Sequence, residues 1–209
     1  MRTRAGLTRE AVVAAAAAIA DSEGIEALTL ARLAAELEIK PPSLFNHVRG
    51  LPALRRELRL LALRELYDAL SRASVGKSRG DGVRALARAY RAFVKKHPGI
   101  YAETLSAADD DPEVAAVANQ IIEVCSAVMS GYQLKRAEAI HALRAMRSVG
   151  HGFASLEAAR GFGIPVNIDE SYAWFVDNFI AGLEAAQARS ERQAVRTQNA
   201  PRRKRSAKR

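Results

Sequence analysis

The chain has 209 residues, 49% of them apolar and only 6% aromatic. That length buries one sizeable core plus a small satellite, and its many Ala and Leu favour helices packed through small side chains. The formal charge of +9 is concentrated: residues 1–60 carry a net +2, residues 61–188 a net −1, and the last 21 residues a net +8. The single Cys125 excludes an intrachain disulfide framework and fits a reducing compartment. The longest apolar run, residues 11–20, is too short to span a bilayer and lacks the order of a signal peptide, so a cytoplasmic protein with no membrane partner is expected.

Residues 1–7 read as a short arm carrying Arg2 and Arg4. Thr8 is a good N-cap with Glu10 in the first turn, and the helix it starts should stop at Gly24. Val12, Ala16, Ile19 and Ala20 form its apolar stripe. Thr29 caps a second helix over 30–37, with Leu30, Leu33, Ala34 and Leu37 inward. Pro41 and Pro42 suit only a first turn, which places a third helix start near Pro41 with Lys40 at its cap and Leu44 and Val48 facing the core. Gly50 and Pro52 then precede a longer helix over 53–71.

Beyond the linker-like stretch 74–82, Asp81 is the expected cap of a helix striped by Val83, Leu86, Tyr90, Phe93 and Val94 and stopped at His97-Pro98-Gly99. A short helix over 99–106 follows. Asp109, Asp110 and Asp111 precede Pro112, and capping accounts for them better than carboxylate chemistry. Further helices are predicted over 112–130, over 135–160, and from an Asp169 cap to about 189. No strand pattern occurs. Residues 190–209 are polar and basic and are expected to be disordered. The reading is all-α: an N-terminal three-helix helix-turn-helix domain (5–60), a larger helical ligand-binding and dimerisation domain (61–189), and a basic tail (190–209).

Residues 29–48 carry the chemistry. The start of a helix presents Lys40, Pro41, Pro42, Ser43, Phe45, Asn46 and His47, with Thr29 and Arg49 flanking, the end that meets base edges in a helix-turn-helix. Ser43, Asn46 and His47 offer donors and acceptors, Lys40 and Arg49 suit phosphates, and the prolines suit thymine methyls. The competing reading is a plain helical hairpin with a solvated polar face.

Thr8-Arg9-Glu10, the small-residue helix up to Gly24, Leu28-Thr29, Leu33-Ala34, Leu37, Pro42 through Val48 and Leu54 together resemble the TetR family of transcriptional regulators. The resemblance covers about residues 5–60. It implies an all-helical dimer with an N-terminal reading head and a C-terminal ligand and dimer domain. Three residues depart from the family: Glu38 replaces a usual turn Gly, Phe45 a common Tyr, and Leu51 a frequent Lys. Residues 143–157 with 161–166 resemble a TetR subgroup marked by a Trp-His-Gly motif, although no Trp stands beside His151.

In the C-terminal half, Gly150 and Gly152 each cost a helix about 1 kcal/mol relative to Ala, which close packing must offset. Gly150, Phe175, Phe179 and Leu183 are expected at an interface between two copies. Tyr90, Phe93, Tyr101, Cys125, Met129, Met146, His151 and Trp174 are candidates to line an effector pocket, with plain core as the blander reading. His141 lies about 80° around an ideal helix from His151, so no metal site is expected. No catalytic motif occurs, and neither an enzyme nor a cofactor is expected. The expected function is a ligand-responsive repressor acting as a homodimer on a palindromic DNA operator. The alternative is a non-specific nucleic-acid-associated protein dominated by its basic tail.

Overall fold

A computed structural model describes residues 7–105 and 111–198. Among them are nine α-helices, one 3₁₀ turn at Ile25–Ala27, and no strand. Helix α1 (Arg9–Glu23) starts where Thr8 Oγ1 accepts from the Ala11 N–H at 3.2 Å. Helix α2 (Leu30–Glu36) starts where Thr29 Oγ1 accepts from the Arg32 N–H at 3.0 Å. Each cap satisfies a backbone donor that has no partner within its helix.

The turn after α2 closes through Glu38 N–H to Ala35 O at 3.1 Å and Ile39 N–H to Ala34 O at 3.0 Å. This Schellman-type closure needs a left-handed residue, and Glu38 supplies it at φ +53°. Helix α3 (Pro41–Leu44) is a single turn prolonged by hydrogen bonds as far as Val48. Leu44 and Val48 are buried and anchor it against Val12, Ala16, Leu33 and Leu54 in one core.

Helix α4 (Leu51–Ser74) is the spine of the molecule. Its first turns belong to the head, and its remainder packs on the body helices through Leu58, Ala62, Leu66 and Leu70. Helices α5 (Arg79–Lys96) and α7 (Pro112–Ser130) flank it. By length and composition α7 could cross a membrane, yet it packs along α4, with Val114 and Val117 against Leu60 and Leu63. Helix α6 (Pro98–Ala102) is short and lies on α1. Helices α8 (Arg136–Ala158) and α9 (Ile168–Gln198) close the body against α5.

Several sequence expectations are corrected. Helix α5 begins two residues before Asp81, with Ser78 at the cap position and Asp81 in the first turn. Asn167, not Asp169, caps α9, its Oδ1 accepting from the Asp169 N–H at 2.8 Å. Asn competes as well as Asp for a cap and stands at the end of the irregular stretch. Helix α9 continues through residues 190–198, where a disordered tail was expected. Ala, Arg, Gln and Glu propagate a helix once it is nucleated, and Gln187 donates to Glu191 one turn on. The N-terminal arm (1–6), Asp109, Asp110 and the tail residues 199–209 lie outside the described residues.

Candidate nucleic-acid interface and regulatory core

The nine residues expected to meet DNA gather on one end of the head. Thr29, Lys40, Pro41, Pro42, Ser43, Phe45, Asn46 and Arg49 are exposed, and His47 is half-buried. Phe45 leaves 60% of its surface in solvent, an unusual exposure for a ring that could have packed inward. Arg32 is held by Glu23 at 2.6 Å and Glu36 at 2.9 Å, which occupies its fork. That pairing with Arg32 also holds the Glu23 carboxyl below its ordinary range. Lys40 and Arg49 have no carboxylate partner among the described residues, so their charges are available to phosphates.

The head is joined to the body by polar contacts that sequence reasoning missed. Asp21, in the last turn of α1, takes the His97 Nδ1–H at 2.7 Å. Its other oxygen accepts from the Gly99 and Ile100 N–H groups at 2.9 and 3.0 Å, capping α6 from a different helix. His97 Nε2 lies 3.4 Å from Glu65 of α4. A Cβ on Gly99 would fall 1.9 Å from the Ala20 carbonyl oxygen, so only Gly lets α6 sit this close to α1. Across the junction, Arg55 reaches the buried Glu103 at 2.9 Å, and Arg59 donates to the Glu103 carbonyl at 2.9 Å. Arg56 pairs with Asp111, whose carboxyl it pushes below the ordinary range, and with Glu113. Asp111 also accepts from the Glu113 and Val114 N–H groups, which makes it the cap of α7 as expected. One signal for this junction was present: an Asp at a helix C-terminus opposes the helix dipole, so an outside partner has to compensate it.

In the body, Tyr90 of α5, Tyr101 of α6 and His151 of α8 form a hydrogen-bonded chain. The two hydroxyls are 2.6 Å apart, and Tyr101 Oη is 2.8 Å from His151 Nδ1. Ser155 Oγ adds a longer contact to the same ring nitrogen at 3.3 Å. Burial, joined by the hydrogen bond to Tyr101, raises the pKa of Tyr90, and burial likewise raises that of Tyr101. Both therefore stay neutral and act as hydrogen-bonding groups. Phe93 packs edge-on to Tyr101 with centroids 6.5 Å apart.

Other expected pocket residues fall elsewhere. Met129 is fully buried in the main core, Met146 is half-buried against it, and burial pushes the Cys125 thiol up to about 11, which leaves it unreactive. Trp174 is 71% exposed on α9. A helix has two apolar faces when one meets the core and another points away, and periodicity cannot tell them apart. Two of the four residues expected at an interface between copies lie inside the chain. Leu183 and Gly150 are buried, and a Cβ on Gly150 would lie 3.3 Å from the Tyr90 ring. Phe175 and Phe179 are half-buried and stack along α9 with centroids 6.3 Å apart. The outward faces instead carry Val149, Leu156 and Trp174, with Gly152 and Gly182 facing open space.

The sequence model of the family described as "Tetracyclin repressor-like, C-terminal domain" matches residues 83–179. The uncharacterized HTH-type transcriptional regulator YobS of Bacillus subtilis is 38% identical over 88% of this chain and 96% of its own length. An HTH-type transcriptional regulator of Mycobacterium tuberculosis is 35% identical over 86% of this chain and 83% of its own. The chain belongs to the TetR family. It is an all-helical, DNA-binding transcriptional regulator with a helix-turn-helix head. Among solved TetR-family structures, TetR-Q116A of Acinetobacter baumannii AYE, in complex with minocycline, shares the fold with a TM-score of 0.67. It is 21% identical to this chain, over 87% of this chain and 99% of its own. The His-Gly subgroup resemblance rests on residues 143–166 alone, since the matching family description does not name it.

Proposed function

We propose that this TetR-family protein is a cytoplasmic, ligand-responsive repressor that binds a roughly palindromic operator as a homodimer. The observation that carries the reading is the continuity of α6 with both ends of the molecule. Its Tyr101 belongs to the Tyr90–Tyr101–His151 chain, while its N-terminus is capped by Asp21 of the head. A small organic effector that rearranged the chain would pull on α1 through α6 and change the spacing of two heads. The TetR-Q116A structure of Acinetobacter baumannii AYE, which shares this fold, is a complex with a small organic molecule, minocycline.

Pairing of two copies through α8 and α9 is supported by the apolar residues left exposed there and by two outward glycines that permit close helix approach. Thr29, Lys40, Pro41, Pro42, Ser43, Phe45, Asn46, His47 and Arg49 would meet the operator in successive major grooves. A gel-shift titration on the protein's own upstream region tests the reading. Specific retardation at moderate salt is expected, and its absence sinks the repressor assignment.

The concentration of charge after residue 188 favours one second reading, a nucleic-acid clamp without sequence preference. Truncation after Gln198 removes six Lys/Arg without cutting α9. If operator discrimination survives and only the overall affinity and salt dependence fall, the tail is an accessory. If discrimination disappears with the tail, the reading head is not what specifies the site.

A further inference from the structure

A second basic site stands apart from both the reading head and the Tyr–Tyr–His chain. Between the last turns of α5 and the start of α9 lies a bowl of about 460 Å³ lined by Arg88, Arg91, Ala92, Lys95, Lys96 and Tyr172. Its floor is fixed: Tyr172 donates to the Ala87 carbonyl at 2.8 Å, and the Arg91 guanidinium lies 4.8 Å from the Tyr172 ring centroid. Arg91 makes a two-point contact with Glu157 at 2.7 and 2.9 Å and reaches Asp169 at 2.8 Å, and Lys95 reaches Glu157 at 2.7 Å. Arg88 and Lys96 have no carboxylate partner among the described residues.

We propose that this bowl binds a phosphate monoester. The charge balance selects the class. Four cations against Glu157 and Asp169 leave two positive charges uncompensated, which match the dianion of a phosphate monoester near neutral pH. A guanidinium and two ammonium groups around one concavity suit the three terminal oxygens of that group, with Arg88 and Lys96 free to pair at once. Glu157 acts as a resident carboxylate that shares Lys95 with the incoming anion while keeping Arg91 in place. The exposed Ala92 gives the organic part of the ester a small apolar surface, while the buried Tyr172 supports the floor from beneath. A continuous nucleic-acid backbone fits less well, because Glu157 and Asp169 would repel the neighbouring phosphates.

Calorimetric titration of the full chain with phenyl phosphate, inorganic phosphate and phenyl sulfate tests the site. Phenyl phosphate should bind saturably. Phenyl sulfate, with one charge fewer, should bind several-fold more weakly. Inorganic phosphate should match phenyl phosphate if only the dianion is read, and bind more weakly if the organic part also contributes. The exposed pair Arg88→Ala and Lys96→Ala, checked for unchanged helicity, should lose at least tenfold in affinity, which separates the bowl from the basic tail. Glu157→Gln should gain affinity. Absence of saturable binding, or equal binding by the double variant, overturns the proposal. A double variant that keeps phenyl phosphate but loses affinity for a random duplex overturns it too, and makes the bowl a nucleic-acid contact.

Discussion

Glu38 occupies the left-handed position that closes α2, at φ +53°, where a side chain costs on the order of 1 kcal/mol. Glycine would remove that strain but would also raise the entropy of the unfolded chain by about half as much. Glu38→Gly should therefore stabilise the head by about 0.5 kcal/mol, whereas Glu38→Val should destabilise it by more than 1 kcal/mol, as read from urea midpoints. A Glu variant more stable than the Gly variant would refute the strain. Glu157 contributes a pH dependence to the body. Arg91 first, then Lys95, hold its carboxyl below the ordinary 4.5, so the folded chain binds its proton less readily than the unfolded one. Its stabilising contribution is complete above the unfolded value and is lost as pH falls through the lower folded one. The wild type should exceed Glu157→Gln in stability by on the order of 2 kcal/mol at pH 7. That gap should shrink steadily below pH 4.5. A gap independent of pH would mean that the pair acts through packing alone.

At the scale of elements, two glycines make opposite forecasts. Gly99 lies directly on the backbone of α1, so Gly99→Ala should cost about 3 kcal/mol, the upper end for overpacking, or free α6 from the head. Denaturant unfolding together with hydrogen exchange at α6 distinguishes it from a neutral change. Gly152 meets nothing within 4 Å in its own chain. Gly152→Ala should thus stabilise α8 by about 1 kcal/mol while weakening association of two copies, measured by sedimentation equilibrium. Tighter association would place Gly152 outside the interface. The same contrast shows what the sequence could reveal. Thr8, Thr29 and Asp111 were legible as caps because capping is local, decided within four residues. Glu38 was legible as a turn only through the family resemblance, because a Glu carries no local preference for the left-handed region. The placement of Gly150 and Leu183 inside, and of Trp174 outside, depends on which neighbouring helix arrives first, and no local pattern encodes that. His97-Pro98-Gly99 read as a stop, whereas its larger role is a contact with a helix more than 70 residues earlier in the chain.

Taken whole, the molecule separates its tasks along α4. The head offers Lys40 and Arg49, without carboxylate partners among the described residues, beside a polar turn, the junction ties head to body through carboxylate and arginine contacts, and the body keeps neutral hydroxyls inside. Most of the excess charge lies in the last 21 residues of the sequence. The exposed indole on α9 has one more consequence. Trp174 is the only tryptophan, so the intrinsic fluorescence of the protein is a signal from a single point on the outward face. In a lone chain that indole, 71% exposed, should emit at the long wavelengths of a hydrated ring. If a second copy covers it, the spectrum should move to the blue as concentration rises, and dilution should reverse the shift. A spectrum that stays red at every concentration would leave this face of α9 bare. The chain thus carries its own optical gauge of assembly, readable without label or mutation.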